Sequence, residues 1–272
     1  MQTDSFAEDN IAYWTKRAPG YSGVNRGELS SGQRGVWSAL LASEIKARFA
    51  DREPRSLRVL DVGTGPGFFA VVLAELGFRV TAVDYTAAML EEARRNALEA
   101  SVRIEFMEMD AEQLDFPSES FDVVVSRNLT WNLRCPSAAY GEWVRVLKNG
   151  GLLLNFDANW YRYLYDKKAE EGHLRDRRNV AASDVADDTE GTDVRAMEAI
   201  ARRAPLSAAE RPKWDLDALA SLGMRAAAEP KIWELVWTRE EFVNNASTPM
   251  FMIRAEKPLE ADNLSVERRP HA

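Results

Sequence analysis

The spacing of apolar positions changes near residue 57. Before it, in ELSSGQRGVWSALLASEIKARFA, Val36, Leu40, Leu41, Ile45 and Phe49 recur at helical spacing, with charge on the other side. That predicts a helix packed on the flank of whatever follows. After it, short apolar, β-branched runs alternate with helical stripes. LRVLDVG reads as a strand, and AVVLAELGF as a helix stopped by Gly77. RVTAVD is a second strand. TAAMLEEARRNALEA is a helix with Thr86 as its N-cap and Met89, Leu90, Ala93 and Ala97 on one stripe. VRIEFMEMD and FDVVVS are the third and fourth strands. Pro136 and Ser137 open a helix through Tyr140, Trp143, Val144 and Leu147, which NGG closes. GLLLNFDAN is the fifth strand. WDLDALASLGM is a short helix, capped by Asp215 and stopped by Gly223. RAAAEPKIWELVWT contains a sixth strand and MFMIRAEKP a seventh, and ADNLSVERRPHA reads as a frayed end.

Strands that alternate with helices and are apolar at nearly every residue indicate parallel strands buried on both faces. The fold class is therefore α/β, a doubly wound Rossmann-like sheet of seven strands. Ligands of such sheets bind outside the C-terminal strand ends, so the chemistry belongs there. Residues 1–56 read as an N-terminal helical cap on a sheet domain at 57–272, in which 160–214 is an insertion after the fifth strand. Within it, Asp166 to Pro212 mixes charges of both signs with alanine, and SDVADDTEGTD interrupts any long helix. It is either a solvated surface decoration or a lid over the ligand edge.

Composition narrows the function classes. Hydrophobic residues make up 46% and charged residues 29%, as in a folded globular protein. Lys plus Arg is 35 against 43 Asp plus Glu, a net charge of −8 that supplies no global field for nucleic acid. A single cysteine, Cys135, allows no intrachain disulfide and no thiolate metal cluster, and fits a reducing cytoplasm. With only His173 and His271, neither a multi-histidine metal site nor a histidine-centred triad is expected. MQTDSFAEDNIAYWTKRA has no apolar core of a signal peptide, and no apolar run reaches the ~20 residues that span a bilayer.

The chemistry-bearing stretch is VLDVGTGPGFFA, Val59 to Ala70, with Gly63, Gly65 and Gly67 between a strand and a helix. Such a loop lets backbone approach a ligand without an intervening Cβ. A dinucleotide loop needs glycine at position 68, where this chain has Phe68. Seventeen positions after Gly67 the second strand ends in Asp84, whose carboxylate can accept from both ribose hydroxyls of a nucleoside. Together they point to a bound adenosine-type ligand.

From Arg58 to Asp157 the sequence resembles a class I S-adenosylmethionine-dependent methyltransferase, of the group that includes the ubiquinone- and menaquinone-biosynthesis methyltransferases. The resemblance implies a seven-stranded sheet whose last strand is antiparallel, with S-adenosylmethionine as cofactor and S-adenosylhomocysteine as product. It implies that Asp61, Gly63, Gly65 and Gly67 cradle the methionine part and that Asp84 holds the ribose. Tyr85 would lie along adenine or ribose. In MEMDAEQLDFP, Asp110 would face the adenine amino group and Ala111 would offer backbone contact. In SRNLTWNL, backbone at Arg127 or the Asn128 side chain would meet the ligand's amine, and Tyr21 would belong to the segment that covers the donor. Each has a structural alternative: Asp61 as a loop brace, Asp110 as a surface acid, Arg127 as an ion-pair partner, Asn128 as the end of a strand.

Methyl transfer from a sulfonium needs in-line positioning and exclusion of water more than it needs a base. If a base is required, Asp157 at the end of the fifth strand is the candidate, with His173 in the insertion behind it. The acceptor pocket is expected to be aromatic. NWYRYLY places Trp160, Tyr161, Tyr163 and Tyr165 past the fifth strand, Trp131 follows the fourth, and WTKRAPGY contributes Trp14. The same aromatics can equally form core. The expected partner is a small-molecule methyl acceptor, not nucleic acid or a membrane span, for a cytoplasmic monomer or homodimer. SRNLTW is unlike the D/N-P-P-Y sequence of many enzymes that methylate base amines. The alternatives are an NAD-dependent oxidoreductase, a non-catalytic nucleoside-binding protein and an aminopropyltransferase.

Overall fold

A computed structural model describes residues 5–259. The frayed end expected from residue 261, and His271 with it, lie outside the described residues. Seven strands form one sheet in the order β3-β2-β1-β4-β5-β7-β6. They are β1 (Arg58–Val62), β2 (Arg79–Asp84), β3 (Glu105–Glu108), β4 (Phe121–Arg127), β5 (Leu147–Asp157), β6 (Arg225–Glu229) and β7 (Phe251–Glu256). The first five pair in parallel, and β7 is antiparallel to both β5 and β6. The chain winds outward in one direction through β1, β2 and β3, then in the other through β4 and β5. The crevice between β1 and β4 is thus the switch point at which such sheets take ligands.

Both faces of the sheet are dry. On one, α2 (Gly32–Arg48) and α3 (Phe68–Glu75) bury Trp37, Leu41, Phe69 and Leu73 against Val59, Val125 and Phe156. On the other, α5 (Pro136–Val146) buries Tyr140 and Trp143 against Leu60, Val124 and Leu153. The buried β4 and β5 need side chains that pack on both sides, hence their unbroken apolar runs. The helix α4 (Ala87–Glu99) covers the β2 side, and α1 (Ser5–Ser30) crosses it and the strand ends.

Three local expectations are corrected. NGG does not close α5: the helix ends at Val146, and Leu147 to Gly151 already belong to β5, whose pairing with β4 shifts register there. Thr86 is the N-cap of α4 but makes no side-chain cap bond. The Asp84 carboxylate accepts from the Thr86 N–H instead. Asp215 is not the cap of α8 (Lys213–Ser221) but a fully buried ion-pair partner of Arg211. The expected sixth strand is the first part of its stretch, β6, after which α9 (Trp233–Val236) and α10 (Arg239–Asn245) follow.

The insertion forms α6 (Lys167–Ala181) and α7 (Val194–Ala201), separated by the SDVADDTEGTD stretch. Its alanine-rich sequence suggests little apolar burial, yet Met197, Ile200, Ala201 and Ala204 form a third cluster with Phe6 and Trp131. It therefore packs on the outside of α1 and of the β4–α5 connection. Arg203 reaches Asp9 of α1 at 2.8 Å.

Candidate active site

One cavity opens at the C-terminal ends of β1, β2, β3 and β4 beneath α1, with about 1060 Å³ of empty space counting its mouth. Its wall gathers Asp61, Gly63 and Gly65 from the first strand and loop, and Asp84 and Tyr85 from the second strand end. Asp110 and Ala111 come from the third, Arg127 and Asn128 from the fourth, and Trp14 and Tyr21 from α1. Strand-end positions from Asp61 to Asn128 thus meet because parallel strands end side by side, and α1 is laid over them from the far N-terminal side.

The loop wraps around the Asp84 carboxylate. Its Oδ2 accepts from the Gly65 N–H and its Oδ1 from the Thr86 N–H, each at 2.9 Å. Each oxygen keeps a lone pair for a ligand hydroxyl. Burial pushes the Asp84 carboxyl up to about 6, against the pull of those two N–H groups. Asp61, 2% exposed, accepts from the Thr64 hydroxyl at 2.6 Å, and burial pushes it up to about 7. Gly65 has φ +52°, a left-handed conformation that side chains resist. A Cβ there would meet only the Tyr21 ring, at 3.6 Å, so the protein leaves room on that side. Gly67 is different. It does not line the cavity, and a Cβ on it would lie 3.1 Å from the Ala93 Cβ, so it serves the close packing of loop and α4.

Arg127 is a buried cationic group of the wall. Its Nη2 donates to Glu28 of α1 at 2.6 Å, and its guanidinium lies 4.7 Å from the Phe68 ring centre. Burial opposes its charge, but Glu28 and Tyr21 outweigh that and hold it above its ordinary range. Its Nη1 is buried without a partner. So are the side-chain oxygens of Asn128 and Asn132, two further residues of the same wall. The Thr86 hydroxyl, on the same wall, is a fourth, and since buried polar atoms are nearly always satisfied, these four orphans describe what is to fill the cavity.

The other expected residues are placed elsewhere. Asp157 is fully buried and off the cavity wall. It accepts from Arg211 at 2.7 Å, from the Trp131 and Ala158 N–H groups, and from the Trp160 indole at 3.1 Å. A carboxylate so engaged braces the β4–α5 connection and is not available as a base. Trp131 and Tyr161 pack on each other, 4.8 Å between rings, within the cluster under α7. Trp160 joins that cluster and the main core, so of the substrate-side aromatics only Trp14 reaches the cavity. His173 stacks on Tyr163 at 4.0 Å, outside the wall. Residues 160–214 contribute nothing to the wall among the described residues, so the insertion supports the roof without being it.

Sequence reasoning missed Asn10, Asn25, Glu28 and Asn132. The first three belong to a stripe of α1, with Trp14, Ala18 and Tyr21, at intervals of three and four residues. The helical period was present, but polar residues interrupt it, and a search for apolar periodicity passes over it.

Residues 60–155 match the protein family described as a methyltransferase domain. That segment holds the glycine loop, Asp84 and Asp110. Its sequence is similar to curated quinone-biosynthesis enzymes. A demethylmenaquinone methyltransferase of Deinococcus radiodurans is 38% identical over 50% of this chain and 55% of its own length. A ubiquinone biosynthesis O-methyltransferase of Chelativorans is 31% identical over 42% of this chain and 47% of its own. The chain spans about half the length of the curated relatives it matches. Among solved structures, a SAM-dependent methyltransferase of Aquifex aeolicus aligns with a TM-score of 0.50 at 16% identity, over 79% of this chain and 89% of that one. The [4+2]-cyclase SpnF aligns equally well, at 0.50 and 18%, over 80% of each chain. These likenesses establish the methyltransferase fold. The expected antiparallel last strand is present: β7 lies between β5 and β6 and is antiparallel to both. Among the described residues no helix is long and apolar enough to cross a membrane, and no group of three His, Cys, Asp or Glu could hold a metal.

Proposed function

We propose that the protein transfers the methyl group of S-adenosylmethionine to a small-molecule acceptor. The observation that carries this is the set of polar groups facing one cavity, since it matches the donor end to end. Asp84 has lone pairs for two ribose hydroxyls. The orphaned Arg127 Nη1 suits the donor's carboxylate, and the orphaned Asn128 oxygen suits its ammonium. Tyr85 and Ala111 supply a flat wall and backbone for the adenine, with Asp110 beside them. When bound, the donor supplies an activated methyl group on a positively charged sulfur.

The chain's own part is positional. Gly63 and Gly65 bring backbone close to the donor, α1 excludes water from above, and the wall beyond Trp14 holds the acceptor in line. Alignment of this kind contributes on the order of 7–11 kcal/mol of rate enhancement without a dedicated base. The names of the quinone-biosynthesis relatives support an apolar, ring-bearing acceptor. Calorimetric titration with S-adenosylhomocysteine tests the donor site. Release of that product from S-adenosylmethionine over a panel of small phenols, amines and thiols tests transfer. A chain that binds neither donor nor product up to millimolar concentration would overturn the reading. One that binds both and turns over nothing would be a binding protein on this fold.

A further inference from the structure

We propose that Asn132, oriented by Asn10, selects the methyl acceptor, and that the acceptor is an uncharged, flat apolar molecule carrying a hydroxyl. The inference rests on reading the Gly65–Asp84 end of the cavity as the donor site, and it concerns the opposite end.

The two asparagines fix each other. Asn10 Nδ2 donates to the Asn132 backbone carbonyl at 3.3 Å, and Asn132 Nδ2 donates to Asn10 Oδ1 at 3.0 Å. With its own N–H engaged by a carbonyl, Asn10 presents its oxygen to Asn132. Asn132 must answer with its NH2 group, so its amide cannot turn around. What is left is Asn132 Oδ1, an acceptor with no partner on a residue only 6% exposed, in the wall of the cavity. A ligand there must bring a donor.

Position and surroundings define that ligand further. Asn10 lies eleven residues before Tyr21 on α1, about 16 Å along a helix axis, and Tyr21 is the residue that faces Gly65. The asparagine pair is thus well away from the glycine loop, where an acceptor would enter. Phe6, Trp14 and Leu133 give this end apolar and aromatic walls. Its two charged residues neutralise one another, Arg134 donating to Glu112 at 3.2 Å. An ammonium or carboxylate would find no free counter-charge there, whereas a neutral hydroxyl would satisfy Asn132 and leave the rest of a ring to the aromatics. A buried acceptor also rejects a molecule that lacks the donor, because the oxygen then stays unpaired. Such a site prefers a hydroxyl to its methyl ether.

The test uses protein saturated with S-adenosylhomocysteine, and 2-naphthol and 2-methoxynaphthalene as probes in calorimetry. The parent should prefer the naphthol on the order of ten-fold or more. Asn132→Leu should bring the ratio to about one, while S-adenosylhomocysteine affinity stays at the parent's value. Asn132→Ala, which removes the oxygen without adding bulk, should erase the same preference if the leucine variant does not fold. A purely structural role would lower affinity for both probes alike and leave the ratio unchanged, which would overturn the proposal. So would a parent that binds neither naphthalene, or an Asn132 variant that loses S-adenosylhomocysteine, which would move Asn132 to the donor side. If the parent itself fails to bind S-adenosylhomocysteine, the donor reading has failed, and the proposal falls with it.

Discussion

Asp61 sits 2% exposed at the end of β1, and burial raises its carboxyl from 3.8 to about 7. An acid whose folded value is raised costs nothing below its unfolded value. The cost grows between the two values and is complete above the folded one. From 3.8 and 7, the ionised Asp61 costs the ligand-free fold about 1.7 kcal/mol at pH 5 and about 4 kcal/mol at pH 8. Asp61→Asn removes that term and keeps the contacts, since the Thr64 hydroxyl that donates at 2.6 Å can turn and accept from the new NH2 group. Any fixed difference in packing or hydrogen bonding is the same at both pH values. The stability of the variant relative to the parent, by urea denaturation, should therefore grow by about 2–3 kcal/mol from pH 5 to pH 8. A relative stability constant to within about 0.5 kcal/mol would refute the reasoning, because Asp61 would then titrate like an exposed acid.

Three further outcomes are expected. Asp84→Ala should weaken S-adenosylhomocysteine binding by about 1.5–3 kcal/mol, and in the parent the affinity should decline as pH falls through about 6, where Asp84 takes up a proton and loses an acceptor. Calorimetry over pH 5 to 8 checks both. Gly65→Val should leave a folded protein by circular dichroism but abolish that binding, since φ is +52° and the open side of Gly65 is the cavity. Arg211→Met should destabilise the fold by about 3–5 kcal/mol, since it strands Asp157 and Asp215, both with fully buried side chains, and thermal unfolding would register it as a large fall in Tm.

The strand–helix alternation, the glycine loop and Asp84 were legible in the chain because they are local. A strand's burial shows in its own residues, and the loop and its acid are set by two adjacent strand ends. The same holds for α5, where Pro136 opens the helix as its position suggested. Residues whose roles depend on distant partners were not legible. Asp157 looks like any strand-end acid until Arg211, 54 positions on, closes over it. Trp131, Trp160 and Tyr161 were as fit for a pocket as for core, and the decision came from α7, whose Met197 and Ile200 cover them. Asn10 and Asn132 are 122 positions apart, and no pattern within either segment announces their pairing. Sequence by itself determined the sheet, the loop and the strand-end acid beside it, through periodicity and backbone freedom. Only the tertiary structure decided which polar atoms are left unpaired, because an orphan is defined by every neighbour that fails to reach it.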